Sequence, residues 1–149
     1  MYEDQVRYEL FKVTKSENKN YVVYELVMKK DEPEKMETVH AFWIRAAEDG
    51  AKRDLKWIEK QMRYGVRIDE VHDDNIKFHV VAISRINLTA IKKDDKYLCK
   101  CLINGVDAII ETIYIDVVTS MFVPHVNSIT ISGKALDDGR EVSEVITKA

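Results

Sequence analysis

The sequence predicts a mainly β fold: an antiparallel meander closing into a barrel of about eight to ten strands, with one helix after the third strand. Three observations predict it. Runs of strand length, rich in Val, Ile, Thr, Tyr and Phe, recur along the chain with period-two alternation. Turn-forming residues separate them, above all Asn104-Gly105 and Asp137-Asp138-Gly139, which tolerate the positive φ of tight hairpins. One stretch, residues 51–64, switches to helical spacing. A long meander leaves exposed edges unless it curls and closes; a two-sheet sandwich is the alternative.

Residues 6–13 mix β-branched and aromatic positions with charges and form the first expected strand. The polar residues 16–20 read as a hairpin loop into residues 21–28, which are nearly all apolar, as in a strand buried on both faces. Residues 29–37 carry Pro33 and many charges and read as a surface loop. Residues 39–45 form the third strand, with Phe42 and Trp43. Asp49 then stands as a helix cap. Leu55, Ile58 and Met62 recur at three- and four-residue spacing on one helical face. Gly65 follows as a stop residue that takes the left-handed conformation cheaply, so a helix is expected over residues 51–64.

A run of hairpins follows. Residues 66–71 and 76–83 flank Asp73-Asp74-Asn75; residues 86–91 and 97–103 flank Asp94-Asp95; residues 97–103 and 106–118 flank Asn104-Gly105. A last pair, residues 126–136 and 141–146, flanks Asp137-Asp138-Gly139. Ser84-Arg85 reads as a corner or bulge inside one long bent strand. Pro124 argues against a central strand over residues 120–125. No repeat, low-complexity tract or linker divides the 149 residues, and a single domain is expected.

The apolar fraction is 46% and the charged fraction 33%, the composition of a folded globular chain rather than a disordered one. The net charge of −3, with signs interspersed, disfavours nucleic acid as a partner. No apolar run approaches the roughly 20 residues of a transmembrane helix. The start lacks a basic region followed by an apolar stretch, so a cytoplasmic protein is expected if Met1 is the native start, and a secreted or periplasmic one if a signal peptide has been removed. Lysine outnumbers arginine and isoleucine is frequent, which suits an organism or phage with an AT-rich genome. Cys99 and Cys101 share one face of an expected strand, and two free thiols are the expectation.

No catalytic, metal or cofactor signature emerges. His40, His72, His79 and His125 have neither i,i+4 nor His-x-His spacing. His72-Asp73-Asp74 reads as a solvated turn. No serine sits in a Gly-x-Ser-x-Gly elbow, no carboxylate pair stands out as acid and nucleophile, and the five glycines form no phosphate-binding loop. No catalytic residue, cofactor or metal is therefore assigned.

Two surfaces remain. On a helix over residues 51–64, Trp57 and Tyr64 project together, roughly 140° from the centre of the Leu55, Ile58, Met62 face. A loop then covers them, or they form an exposed aromatic patch for a protein partner or a second copy of the chain. Lys52, Lys56, Lys60 and Arg63 would form a basic stripe on the same helix. In the third strand, Val39, Ala41, Trp43 and Arg45 share a face. Were it to point into a barrel, Trp43 and Arg45, with Tyr114 from the strand after Gly105, would hold a small apolar or amphipathic ligand. The competing arrangement packs Trp43 under the helix and pairs Arg45 with Glu48. An interaction or assembly module comes first, a non-enzymatic ligand-binding barrel second, and an enzyme third.

Overall fold

A computed structural model of the chain describes residues 6–16, 18–44, 52–54 and 64–147. It is mainly β. The strands are β1 (Arg7–Lys15), β2 (Asn18–Met28), β3 (Met36–Ile44), β4 (Lys52–Asp54), β5 (Val66–Val71), β6 (Asn75–Val80), β7 (Leu88–Lys93), β8 (Lys96–Ile103), β9 (Val106–Ser120), β10 (Val123–Ala135) and β11 (Glu141–Thr147). All eleven belong to one hydrogen-bonded sheet.

The sheet branches at β9. Residues 106–109 of β9 pair with β8, residues 112–115 pair with β1, and β10 runs opposite both stretches. A strand has two edges, so β8 and β1 must leave β9 by the same edge, with β10 on the other. Two leaves therefore diverge from β9: β1-β2-β3-β4 and β8-β7-β6-β5. They curl toward each other until β3 contacts β5 and β6. There the Met36 amide donates to the Asp73 carbonyl at 2.9 Å. The ring is nearly closed, as the edge argument requires. It is mixed rather than purely antiparallel, because β1 and β9 run parallel over Lys12–Lys15 and Thr112–Ile115.

Among the described residues, apolar side chains pack the inside of the ring. Phe11 stacks on Tyr24 with centroids 4.6 Å apart and faces Phe78 at 6.5 Å. Leu26, Met28, Met36, Ile76, Leu88, Ile103, Ile110 and Ile113 are buried around them. The near-continuous burial of β2 from Val22 to Met28 matches its unbroken apolar sequence. In β9 the buried positions change parity, from Ala108 and Ile110 to Ile113 and Ile115. A bulge makes the change: Gly133 faces Ile110 and Ser132 faces Thr112, leaving Glu111 as the extra residue.

Two elements differ from the sequence reading. Residues 52–54, placed in the helix, instead form β4, antiparallel to Phe42–Ile44. The edge of β3 offers unpaired backbone groups there, whereas a first helical turn would leave its own N–H groups open. The described residues contain no α-helix; residues 51 and 55–63 lie outside them, as does the Asp49 cap. Gly65 leads into β5, and its carbonyl accepts from the Val81 amide at 3.0 Å. Second, residues 76–91 are two strands rather than one bent one. A 3-10 turn at Val81–Ile83 and the residues after it reverse the chain, so that β6 and β7 pair antiparallel.

The hairpins at Asp94-Asp95, Asn104-Gly105 and Asp137–Gly139 stand where the turn residues put them, with φ of 51° and 64°, then 52° and 77°, and 75° at Gly139. One hairpin is unforeseen. β9 and β10 continue past residue 118 and meet in a two-residue turn, Met121-Phe122, with Ser120 opposite Val123. Pro124 lies in this strand pair, opposite Thr119.

Candidate functional site

Of the aromatic pair proposed for a partner, Trp57 lies outside the described residues and Tyr64 is buried, 5% exposed. The Tyr64 ring meets Trp43 edge-on at 5.4 Å and lies under the Lys15 ammonium at 5.1 Å. Its carbonyl accepts a 2.7 Å hydrogen bond from the Tyr24 hydroxyl. Burial, then the neighbouring Tyr64, holds the Tyr24 phenol well above its ordinary pKa, so it stays a donor. Replacing Tyr24 by Phe leaves the Tyr64 carbonyl unpaired, with an expected loss of about 1–2 kcal/mol in denaturant unfolding at unchanged m-value. An unchanged midpoint would show that the hydroxyl contributes nothing.

Of the residues proposed for a ligand, the described pair Trp43 and Tyr114 do not share a site. Trp43 is buried with Val39 and Ala41, as the strand pattern implies. Tyr114 points the other way, 42% exposed on the outer face of β9, and Arg45 with its suggested partner Glu48 lies outside the described residues. Apart from the β4 backbone at Lys52, the basic stripe also lies outside them.

The thiols of Cys99 and Cys101 are free and buried. Burial, then the neighbouring Cys101, raises Cys99 well above the usual thiol range; burial, then Glu144, pushes Cys101 up to about 11. Neither is a thiolate near neutral pH. His79 pairs with Asp69 at 3.1 Å and His72 with Glu70 at 3.3 Å on the surface. Among the described residues no cluster of three His, Cys, Asp or Glu side chains is arranged to hold a metal ion.

Among the described residues, open space lies beside the β10–β11 hairpin. β10 and β11 pair with each other beyond β9 and touch β8 only slightly. Between this hairpin and residues 81–87 runs a cleft with an isoleucine floor. One lobe, about 310 Å³, is lined by Lys15, Tyr64, Ala82, Ile83, Ile115, Val117, His125, Val126 and Ile129. The next shares Ala82, Ile83, Val126 and Ile129 with it and adds Arg85 and Ile146. A third, about 430 Å³ and more polar, continues from Arg85 and Ile146 to Lys100, Cys101 and Glu144.

Beside the first lobe stands a two-stranded arm. The pairing of β1 with β9 ends at Ile115, and the Ser16 hydroxyl closes that edge by accepting from the Val117 amide at 2.8 Å. The described pairing of β11 with β10 runs from Lys134 to Ser128 and goes no nearer the tip. Beyond these points, among the described residues, β9 and β10 pair only with each other. The arm exposes Val118, Met121, Phe122, Val123 and Val126, with Met121 and Phe122 at 89% and 99%. Its two turn residues hold φ of 51° and 66°, a region that a bulky side chain occupies at a cost of about 1–2 kcal/mol each.

The sequence carries a compositional signal for this arm. From Val117 to Gly133 there is no Asp, Glu, Lys or Arg, in a chain in which a third of the residues carry such groups. A solvated hairpin of that length would ordinarily hold several. The turn itself leaves no local mark, because Met-Phe carries no turn chemistry.

A family model described as a domain of unknown function, DUF4833, matches residues 11–145 of the chain. No curated protein and no solved structure matches it.

Proposed function

The chain belongs to the DUF4833 family, a domain of unknown function, and from that premise we propose that it is an interaction module whose docking element is the uncharged β9–β10 arm. The observation that carries this reading is the Met121-Phe122 tip: two large apolar side chains, almost wholly in water, on a backbone conformation unfavourable to both. At that exposure neither side chain buries apolar surface against the described residues. Exposed apolar anchors of this kind are what interfaces bury at their centre. The arm's edges, which no described strand pairs, add backbone groups that a partner strand can complete.

Photocrosslinking in the native host tests this. Replacement of Phe122 by p-benzoylphenylalanine is expected to give a discrete adduct on irradiation. The same group at Val71, exposed on β5 away from the arm, is expected to give none. Absence of any adduct from position 122 would overturn the reading.

A small apolar or amphipathic ligand is the second reading, now placed in the cleft instead of the ring. It is favoured by the isoleucine floor with Lys15 and Arg85 at its margin. It calls for a raised melting temperature with a member of a lipid panel, and a flat panel would remove it.

A further inference from the structure

We infer that the arm's partner is a second copy of this chain, with the Met121-Phe122 tip of each copy seated in the isoleucine-floored cleft at the base of the other's arm. This rests on the reading of the arm as a docking element and names what it docks to. Three features point to self-pairing.

The first is placement. Val117 and Val126 belong to the arm's base and also line the first lobe of the cleft. The tip lies four to five residues further along, on the order of 15 Å away at strand rise. When two identical arms lie antiparallel about a two-fold axis perpendicular to them, the tip of one falls beside the base of the other. A plug at the tip and a socket at the base are thus at the positions an isologous pair requires, and both contacts form at once. A partner of unrelated shape would need the plug or the socket, not both at this spacing.

Size and polarity are the second. The first lobe, about 310 Å³, is of the order that one aromatic side chain and part of a methionine fill. Its walls are Ile83, Ile115 and Ile129. An incoming Phe122 ring would lie near the Lys15 ammonium, which already sits over the Tyr64 ring. Two tips and two sockets, each contributing on the order of 300 Å², bury about 1,200 Å², where specific interfaces begin.

Charge is the third. A third of the residues are charged, so burying most faces in a pair would take charged groups out of water. The stretch Val117–Gly133, without Asp, Glu, Lys or Arg, is free of that cost.

The test is sedimentation velocity of the full chain across the micromolar range, with two variants. Met121→Asn/Phe122→Gly removes the plug and leaves a turn suited to positive φ, so folding is not at risk. Ala82→Trp fills the socket from an exposed position and leaves the plug intact. The wild-type chain is expected to sediment as a concentration-dependent dimer, and each variant as a monomer, with association weakened about a hundredfold or more. Mixing the variants restores one plug-and-socket contact and is expected to give a weak heterodimer. In the irradiation experiment, the adduct from position 122 is expected at twice the chain mass.

A wild-type chain that stays monomeric throughout overturns the inference, as does a dimer untouched by both variants. An adduct of another mass with a monomeric chain overturns the second copy while leaving the arm as a docking element. Tip-dependent cosedimentation of the monomer with phosphatidylcholine vesicles would assign the tip to a lipid surface and equally overturn it.

Discussion

Gly133→Ala is expected to destabilise the protein by about 3 kcal/mol, in the range of overpacking a well-filled interior. A methyl group built on Gly133 would overlap the Ile109 carbonyl oxygen and lie 3.0 Å from the Ile110 Cα, both backbone atoms that cannot swing aside. The ordinary effect of Gly→Ala runs the other way, gaining roughly 0.4–1 kcal/mol by restricting the unfolded chain. Here the clash outweighs it. β10 must retreat across the bulge that lets β9 change its buried face from Ala108 and Ile110 to Ile113 and Ile115. Ile131, 1% exposed and two residues away, loses its seat in the same movement. At this chain length the loss corresponds to roughly 6–12 °C in Tm. Thermal unfolding of the variant decides the matter; a Tm equal to or above that of the parent would mean that β10 does not approach β9 as closely as described.

That glycine shows where the sequence is readable and where it is silent. A glycine alone in a strand is visible, but whether another backbone presses on it depends on a register that no local pattern encodes. The hairpins at Asp94-Asp95 and Asn104-Gly105 were legible because their turn residues tolerate positive φ for reasons of their own side chains. The burial of β2 on both faces, and of Val39, Ala41 and Trp43 on one face of β3, followed from apolar spacing alone. The parallel contact of β1 with β9 did not. Its partners are about a hundred residues apart, and pairing at that separation leaves no mark in either segment. The departure of residues 52–54 from the expected helix has a related cause. Periodicity reports which face is apolar, whereas the free edge of β3 opposite them is a tertiary fact.

The candidate site was harder to read because it is built from departures. The cleft exists because β10 and β11 extend past β8 with little contact, a consequence of the branching at β9. Its isoleucines are spread from Ile83 to Ile146, too far apart to form a motif. The arm is marked by what it lacks. Missing charges over Val117–Gly133 carry information only against the composition of the whole chain, and so are easily mistaken for an ordinary buried strand.

Met121→Asn/Phe122→Gly is expected to make the protein more stable, by about 2 kcal/mol, or roughly 4–8 °C in Tm. The native turn places Met121 at φ 51° and Phe122 at φ 66°, where each pays about 1–2 kcal/mol against a residue at ease there. Asn-Gly is the pair that a two-residue hairpin of this kind prefers. The greater freedom of Gly in the unfolded chain offsets part of the gain, on the order of 0.5–1 kcal/mol. Little is lost in exchange, since both side chains are almost completely exposed and contribute hardly any burial. Any tertiary role for the tip within one copy reverses the sign. A variant less stable than the parent under conditions where the parent is monomeric would show that Met121 and Phe122 support the fold itself. A more stable variant would mean that the chain holds two strained apolar residues in water at the expense of its own stability, which is the physical ground for assigning their purpose to something outside the monomer.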